Sequence, residues 1–323
     1  MMGWTEQDIP SLHGRRAVVT GGTSGIGHAT ATGLAAAGAQ VILARRDPAR
    51  GAEAMLKIAK HAPGASVRFE QLDLACLASV AAFASRITAR HNALDILVNN
   101  AGVMALPQRC MTADGFEMQF GVNYLGHFAL TSLLLPLLRR APASRVVAVT
   151  SLSHRMGRID FDDLQAERGY APWKTYSQSK LALLMFSLEL QRRSDAARWS
   201  LASLAAHPGW ALTNLFANGP ASEGTPRFLM RPMRLGTRFF SRSAVHGAAP
   251  ILVAATLPAA GAGCLYGRRW LWGMRGPPAL ARIAPQAQDA RVAARLWDVS
   301  AALTGQCFGV ARPIAAIAPE HDG

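Results

Sequence analysis

Tyr176 and Lys180 lie four residues apart in the segment TYSQSK, within a stretch from Trp173 to Arg193 that is typical of a helix. That spacing places both side chains on one helical face, with a phenol beside an ammonium group. Lowering the pKa of a phenol from about 10 to about 7 takes about 4 kcal/mol. One unit charge about 4 Å away supplies that amount at an effective dielectric of about 20. The pair predicts a tyrosine that exchanges protons near neutral pH, although a surface aromatic beside a solvated lysine has the same spacing.

A glycine-rich turn near the start of the chain favours a different chemistry, the binding of phosphate. An apolar run from Arg16 to Gly21 leads into GGTSGIG, and an alanine-rich stretch from His28 to Gly38 favours a helix. A strand, a glycine turn and a helix together direct backbone N–H groups at a pyrophosphate, although an ordinary glycine turn is the alternative. The predicted phosphate loop contains Gly21, Thr23, Ser24, Gly25, Ile26 and Gly27.

The end of the second predicted strand indicates which dinucleotide this loop would bind. Val41 to Leu43 is an apolar run, and it is followed by Ala44, Arg45, Arg46 and Asp47. An acidic residue at this place accepts a hydrogen bond from the ribose 2′-hydroxyl, whereas arginine accommodates a 2′-phosphate. A guanidinium presents a planar fork to phosphate, so the two arginines favour NADP(H) over NAD(H), unless both are solvated loop residues.

With these features in place, the chain resembles the short-chain dehydrogenase/reductase family over residues 14–215. The long interval between Ser151 and Tyr176 is similar to that of the subgroup with retinol dehydrogenases, WW-domain oxidoreductase and protochlorophyllide reductase. All motifs occur in the family's order, which is a more specific signal than any one of them. They are TGGTSGIG (20–27), LDL (72–74), NNAG (99–102), VNYLGHF (122–128), VVAVTSLSH (146–154), YSQSK (176–180) and HPGW (207–210).

The resemblance implies a catalytic role for four residues. Tyr176 would donate a proton to a carbonyl oxygen, or accept one from an alcohol. Lys180 would lower the pKa of that tyrosine and hold the nicotinamide ribose. Ser151 would bind the reacting oxygen in preference to Ser153, and Asn123 would anchor a water that connects the lysine to solvent.

The resemblance also implies a binding surface for NADP(H) and a mostly apolar substrate pocket. Asp73 would bind adenine, and a lid at 211–245 would cover the substrate. The implied cofactor contacts outside the phosphate loop and the two arginines are Asp73, Leu74, Asn100, Ala101, Gly102, Tyr176, Lys180, Pro208, Gly209 and Thr213. The implied substrate contacts are Ser151, Leu152, Ser153, Met156, Tyr176 and Trp210.

Several of these residues also have a purely structural interpretation. Asn99 and Asn100 could end a strand with turn chemistry. Asp73 could be the N-cap of a helix predicted from about Ala75 to Arg90. Ser151 could be a strand-end hydroxyl bonded to backbone. The ordered combination of motifs favours the functional interpretation over each of these.

Length and composition predict one large α/β domain. The chain has 323 residues, of which 50% are hydrophobic, and apolar runs alternate with helix-like stretches. This alternation predicts a Rossmann-type doubly wound parallel sheet with helices on both faces, forming a single domain over 1–323. The predicted additions to it are an N-terminal extension at 1–13, an insertion at 157–173, the lid at 211–245, and a C-terminal helix and tail at 285–323.

The net charge of +14 exceeds what cofactor phosphates would neutralise. The segment 227–242 carries arginines at helical spacing, which predicts a lid with a basic face or an amphipathic element resting on an anionic membrane. Nucleic-acid binding is not expected, because no recognition motif accompanies the basic residues.

Other features of the sequence favour a cytoplasmic enzyme without a metal. The apolar runs are too short or too interrupted to span a membrane, and the first residues do not resemble a signal peptide. The four cysteines are scattered without a C-x-x-C pair, which is typical of thiols in a reducing compartment. The oligomeric state is left open between monomer and homodimer.

Three functions are compatible with the sequence. The first is an NADP(H)-dependent carbonyl reductase or alcohol dehydrogenase that acts on a fairly apolar substrate. The second is a sensor or scaffold that binds NADP(H) without turnover, although it would not need Ser151, Tyr176 and Lys180. The third is a C=C reductase of the protochlorophyllide reductase type, for which the sequence contains no evident pigment site.

Overall fold

The core of the fold is an eight-stranded sheet. The structure is a computed structural model that describes residues 4–209 and 237–309. In the second range, side chains are described from residue 244 onward. Across the sheet the order is β3-β2-β1-β4-β5-β6-β7-β8, with all neighbours parallel except the antiparallel pair β7 and β8. This confirms the predicted doubly wound sheet. The strands are β1 (Arg16–Thr20), β2 (Gln40–Arg45), β3 (Val67–Gln71), β4 (Ile96–Asn99), β5 (Ser144–Val149), β6 (Leu201–Ala206), β7 (Leu265–Trp270) and β8 (Arg275–Leu280).

Helices cover both faces of the sheet and form two separate hydrophobic clusters with it. Helices α3, α4, α5 and α7 pack on one face, while α1, α2 and α6 pack on the other. The helices are α1 (Gly25–Ala36), α2 (Pro48–His61), α3 (Leu77–Arg90), α4 (Gly126–Arg140), α5 (Pro172–Ala196), α6 (Thr237–Thr256) and α7 (Ala290–Thr304).

The central strands are continuously apolar because successive side chains enter opposite clusters. In β1, Val18 joins the first cluster, whereas Ala17 and Val19 join the second. In β5, Val146 and Val147 divide in the same way. A strand buried on both faces shows no polar alternation, which explains why the sequence predicts these strands as uninterrupted apolar runs.

The last two strands are absent from the sequence-based prediction. β7 ends in two arginines and a tryptophan, and β8 contains Pro277 and Pro278. Proline lacks the N–H that a central strand must donate, so this pattern argues against a strand. Because β8 is the edge of the sheet, its outer N–H positions need no partner strand. The prolines are therefore tolerated there.

One helical stretch is longer than its apolar run in the sequence suggests. A π-helical turn, Gly121–Leu125, leads directly into α4, so the stretch Met118–Arg140 is long and apolar enough to cross a membrane by length and composition. However, 83% of its most apolar window is buried inside the fold. A core helix of a soluble protein has these same properties, so the stretch is weak evidence for a membrane span.

Candidate active site

Tyr176 and Lys180 occupy one face of α5, as their spacing predicts. The ammonium nitrogen of Lys180 lies 6.0 Å from the centroid of the Tyr176 ring, and both side chains are buried. Lys180 Nζ donates a hydrogen bond to the carbonyl oxygen of Val149 at 3.0 Å. The side chain of Ser151, which follows β5, lies close enough to the Tyr176 hydroxyl to affect its pKa. The end of β5 and the face of α5 thus bring the three residues together.

The pKa values run opposite to the simple sequence argument. Burial raises the pKa of Tyr176 to about 12, although the hydrogen bond from Ser151 opposes this shift. Burial also lowers the pKa of Lys180 to about 8. In the protein alone, burial therefore dominates the pKa of both groups, because removal from water disfavours the charged form of each. Tyr176 is a protonated phenol at neutral pH in this state. The expectation that Lys180 lowers the pKa of Tyr176 in the working site stays a prediction.

Ser151 begins a short 3₁₀ turn, Leu152–Met156, that follows β5. Its hydroxyl oxygen accepts a long hydrogen bond of 3.3 Å from the backbone N–H of Ser153. The predicted rival, Ser153, is buried, and its own hydroxyl has no hydrogen-bond partner among the described residues. Of these two serines, Ser151 is the one that affects the pKa of Tyr176.

Two buried histidines lie near each other after β5 and β6, in motifs for which the sequence argument gave them no role. His154 Nδ1 lies 2.6 Å from the carbonyl oxygen of Ser151 and donates to it. His207, at the end of β6, accepts through Nδ1 from the backbone N–H of Gly209 at 3.2 Å. Burial lowers the pKa of both rings. Both are therefore neutral near pH 7, and they act as fixed hydrogen-bonding groups around the Ser151 turn.

Asn123 lies in the π-helical turn before α4. Its amide nitrogen donates to Ser179 Oγ at 2.9 Å and to the carbonyl oxygen of Val103 at 2.9 Å, while its amide oxygen accepts from Val103 N at 2.8 Å. A Cβ built on Gly102 would lie 2.9 Å from the Asn123 amide oxygen and 3.4 Å from Lys180 Nζ. The side chain thus holds the segment after β4 against α5, close to the lysine.

His127 connects Asn123 to the first strand, and the sequence argument gave it no role although it lies in the motif VNYLGHF. Its Nδ1 donates to the carbonyl oxygen of Asn123 at 3.0 Å, so its Nε2 accepts from the Thr20 hydroxyl at 2.9 Å. Thr20 Oγ1 also accepts from the backbone N–H groups of Asn100 and Ala101, at 2.9 and 3.0 Å. One buried chain of hydrogen bonds therefore joins the ends of β1 and β4 to the π turn.

Acid should destabilise this fold through its buried histidines. Burial lowers the pKa of His127 and of His207 to about 3, whereas an unfolded histidine titrates near 6.5. Between about pH 6.5 and about pH 3 the unfolded chain therefore binds protons that the folded chain does not. The free energy of unfolding should be level above that window and fall as the pH drops through it.

Urea unfolding across a pH series measures this effect, and His127→Asn tests the assignment. The variant should lose about 0.5–1.5 kcal/mol at neutral pH, because the Thr20 hydroxyl loses its hydrogen bond to His127 and keeps only the carbonyl oxygen of Val98, at 3.2 Å, as an acceptor. It should also show a shallower decline toward acid than the original chain. Equal slopes for the two proteins would rule out His127 as a source of the pH dependence.

The glycine loop has the compact shape that a pyrophosphate site requires. Gly21 adopts φ +65°, and α1 begins at Gly25 with Ser24 as its N-cap residue. A Cβ on Gly27 would overlap the Asn100 amide nitrogen and would lie 2.5 Å from the carbonyl oxygen of Gly21. The Asn100 amide nitrogen donates to Thr20 O at 2.7 Å. The Asn100 side chain therefore packs against the glycine loop and connects the end of β4 to the end of β1.

Gly27→Ala should disrupt the loop and with it cofactor binding. The added methyl has no space against backbone and the Asn100 amide, so we expect a loss of about 1–3 kcal/mol in stability. Gly169→Ala is a matched control, because a Cβ there meets nothing within 4 Å. NADPH titration by fluorescence, with a thermal melt, should separate the two variants. Wild-type affinity in Gly27→Ala would contradict the loop assignment.

The two arginines after β2 have different surroundings. Arg45 Nη1 donates to Thr23 Oγ1 and Ser24 Oγ, both at 2.8 Å, so this guanidinium is held at the glycine loop. The Arg46 side chain is 76% exposed, and its nearest acidic group is Asp73 at 3.9 Å. Both cations lie at the carboxyl end of β2.

The carboxylates of Asp47 and Asp73, close to the two arginines, accept hydrogen bonds from backbone N–H groups. Asp47 is the N-cap of α2, and its carboxylate accepts from the backbone N–H groups of Ala49 and Arg50 at 3.0 and 3.3 Å. Asp73 accepts from Ala75 N at 3.0 Å in a local turn. It does not cap α3, which begins at Leu77, so that structural alternative is wrong. Leu74, beside it, is buried in the first cluster.

The remaining predicted contacts divide between placed residues and residues outside the described ranges. Pro208 and Gly209 follow β6, and Gly209 lies against Arg268 and the carbonyl of Met274. Leu152 is half-buried, whereas Met156 is 75% exposed. Trp210, Thr213 and most of the predicted lid at 211–245 lie outside the described residues, as do the side chains of the basic segment 227–242.

The placed residues fit a nicotinamide dinucleotide. The glycine loop, Arg45 and Ser151 all follow the carboxyl ends of parallel strands, which is where an open α/β sheet binds ligands. The loop has no room for a side chain at Gly27, so a diphosphate can approach its backbone. At the other end of the site, Tyr176 and Lys180 lie beside Gly102 and Ser151, where a nicotinamide and its ribose would bind.

Comparison with known proteins agrees with this geometry. A family model described as short chain dehydrogenase matches residues 15–223. Retinol dehydrogenase 14 of Homo sapiens is 38% identical over 308 residues, covering 91% of this chain and 87% of that protein. Polyprenol dehydrogenase of Mus musculus is 42% identical over 303 residues, covering 92% of this chain and 86% of that protein.

A solved structure shows the same fold over nearly the whole chain. It is a crystal structure of an uncharacterized protein from Mycobacterium paratuberculosis, 40% identical to this chain, with a TM-score of 0.79. The match covers 95% of this chain and 99% of that one. The chain therefore belongs to the short-chain dehydrogenase family, a family of oxidoreductases that use nicotinamide cofactors.

Proposed function

We propose that this protein is an NADP(H)-dependent oxidoreductase that interconverts a carbonyl and an alcohol on a fairly apolar substrate. The observation that carries the proposal is that Ser151 and the buried Lys180 both lie beside Tyr176. Ser151 follows the carboxyl end of β5, and Lys180 donates a hydrogen bond to the carbonyl oxygen of Val149, the last residue of that strand. A proton donor and an oxygen-binding hydroxyl thus lie close enough to act on the same substrate oxygen.

In the direction of reduction, the side chains would divide the work as follows. Ser151 donates a hydrogen bond to the carbonyl oxygen and orients it toward Tyr176. The phenol, whose pKa is raised to about 12, is protonated at neutral pH and donates its proton to that oxygen. Bound NADPH supplies the hydride. Lys180, whose pKa is lowered to about 8, can return a proton to the phenolate or stabilise it as a cation.

The choice of NADP(H) rests on charge at the end of β2. Arg45 and Arg46 provide two guanidinium groups there, while the carboxylate of Asp47 is engaged by backbone N–H groups of α2. A 2′-phosphate would gain two cations, whereas a free 2′-hydroxyl would find no free acidic acceptor among these three residues. Cellular NADP(H) is mostly reduced, which favours carbonyl reduction. The cytoplasmic location remains a prediction from the cysteine pattern.

The apolar character proposed for the substrate rests on the relatives and on the turn that Ser151 begins. The relatives named as retinol and polyprenol dehydrogenases are 38% and 42% identical to this chain. Leu152 and Met156 lie in the turn that Ser151 begins, and both are at least partly exposed apolar side chains. We infer that an alcohol or carbonyl on a long hydrocarbon is the preferred chemical class.

Turnover across a substrate panel tests the proposal. The purified full chain is mixed with NADPH and with aldehydes, ketones and enones of increasing chain length, and NADPH consumption is followed by absorbance. We expect reduction of carbonyls, with kcat/KM rising with hydrocarbon length. Binding of NADPH without any turnover would indicate a sensor or scaffold instead. Reduction of enones alone, at the C=C bond, would indicate the third function.

A further inference from the structure

The turn between β7 and β8 exposes an unusual amount of apolar surface. Trp270, Leu271 and Trp272 are 60%, 57% and 83% exposed. We refer to residues 269–275 as the hairpin tip. Three consecutive large apolar side chains are thus exposed at one turn, and exposed apolar patches mark sites of interaction.

The backbone of the hairpin tip holds these side chains outward. Leu271 and Trp272 both adopt left-handed conformations, with φ of 51° and 55°, which non-glycine residues rarely adopt. Trp270 packs its ring against Gly276, where a Cβ would lie 2.7 Å from the ring. Such conformations cost energy and are retained where the surrounding structure serves a function.

The charged residues in the sequence around the hairpin tip are all basic. Residues 244–288 contain no aspartate or glutamate, and Arg269 and Arg275 are exposed on either side of the apolar residues. Arg155, from the Ser151 turn, donates to the carbonyl oxygen of Trp272 at 3.0 Å and adds a third cation. Tryptophan and arginine together suit the interface of an anionic bilayer, because the rings enter the headgroup region and the cations meet lipid phosphates.

We propose that the hairpin tip docks this protein on the surface of an anionic lipid membrane. A second copy of the chain is a poorer occupant, because Pro277 and Pro278 on the edge strand cannot donate the hydrogen bonds of a sheet extended between copies. Two facing tips would also bring like charges together. An anionic membrane offers apolar lipid to the exposed tryptophans and leucine, and phosphate groups to the arginines.

The docked tip would place the active site next to the bilayer. A Cβ on Gly273, in the tip, would lie 3.3 Å from the Leu152 side chain, and Arg155 ties the tip to the same turn. Ser151 begins that turn. A lipophilic alcohol or carbonyl would then reach the site from the membrane without crossing water. The entry of a substrate from the membrane rests on the proposed function, whereas the docking of the hairpin tip does not.

Vesicle co-sedimentation of the full chain tests the docking. Vesicles of phosphatidylcholine alone are compared with vesicles that also contain phosphatidylserine, at low and at raised salt. We expect sedimentation with the anionic vesicles, weak binding to phosphatidylcholine, and a loss of binding as salt rises. Absence of binding to phosphatidylserine vesicles at low salt would overturn the proposal.

Two sets of substitutions assign the binding to the hairpin tip. Arg269→Gln with Arg275→Gln should weaken partitioning by about 25-fold, since each arginine near an anionic surface contributes about fivefold. Replacing Trp270, Leu271 and Trp272 by serine should weaken it by more than about tenfold, because binding scales with the apolar area inserted. If the serine variant fails to fold, vesicle binding by the Arg269→Gln, Arg275→Gln variant still tests the proposal.

The control substitutions lie at the opposite edge of the sheet. Leu56→Ser with Lys60→Gln removes an exposed leucine and an exposed cation from α2, and it should bind vesicles like the original chain. Equal binding by the tip variants and the original chain would overturn the proposal. So would a dimer, seen by light scattering, that the serine substitutions dissociate while vesicles remain unbound. Turnover of a water-soluble aldehyde, measured separately, shows whether the proposed function itself fails.

Discussion

Tyr176→Phe should lower kcat for carbonyl reduction by about 10²–10⁴-fold while leaving NADPH affinity nearly unchanged, because general acid catalysis contributes about that factor. The phenol hydroxyl is the only group removed, and the aromatic ring keeps its edge contact with Trp173 at 5.9 Å between centroids. The Ser151 hydroxyl loses a partner but remains in place on its turn. The loss should therefore appear in the chemical step rather than in folding or cofactor binding.

Steady-state kinetics with a reducible aldehyde, together with NADPH titration, measure both quantities. Tyr170→Phe is a matched control, since its hydroxyl donates to the carbonyl oxygen of Leu106 at 2.7 Å. This control should lose some stability and keep most of its turnover. If Tyr176→Phe retained more than a small fraction of the original kcat, Tyr176 would not be the proton donor.

Replacing both Arg45 and Arg46 by aspartate should reverse the preference for NADPH over NADH. Each charge-assisted hydrogen bond to a phosphate is worth about 1.5–3 kcal/mol, so loss of one such bond weakens NADPH binding by about 10–100-fold. An introduced carboxylate also repels the 2′-phosphate and can accept from a 2′-hydroxyl. The ratio of kcat/KM for NADPH to kcat/KM for NADH should therefore fall by at least about 100-fold.

The single substitution Arg46→Asp changes the charge at the end of β2 without removing a hydrogen bond to the glycine loop. Arg45 also holds Thr23 and Ser24, so its loss changes the glycine loop as well as the charge. Arg46 is exposed and makes no such contact with the loop. Arg50→Asp, one turn into α2, serves as the control for charge alone. A ratio that stays constant in both the double and the single variant would remove the 2′-phosphate assignment.

Short-range patterns were sufficient to predict much of the candidate site. Tyr176 and Lys180 share a face of α5 because residues four apart on a helix always do. The glycine loop lies between β1 and α1, since a strand, a tight turn and a helix are each encoded by neighbouring residues. The parallel sheet follows from apolar runs that alternate with helices. The edge strands β7 and β8 escaped prediction, because their prolines and arginines do not resemble a buried strand.

Only the tertiary structure decided the electrostatics and the partners of these residues. The sequence places a cation near the Tyr176 phenol, but the depth of burial raises the pKa of that phenol instead of lowering it. The link from His127 to Thr20 joins residues 107 positions apart, and the Arg155 contact with Trp272 joins residues 117 positions apart. Local spacing carries no information about such pairs, because they form only when the sheet brings distant strand ends together. Desolvation likewise depends on everything packed around a group, which no motif records.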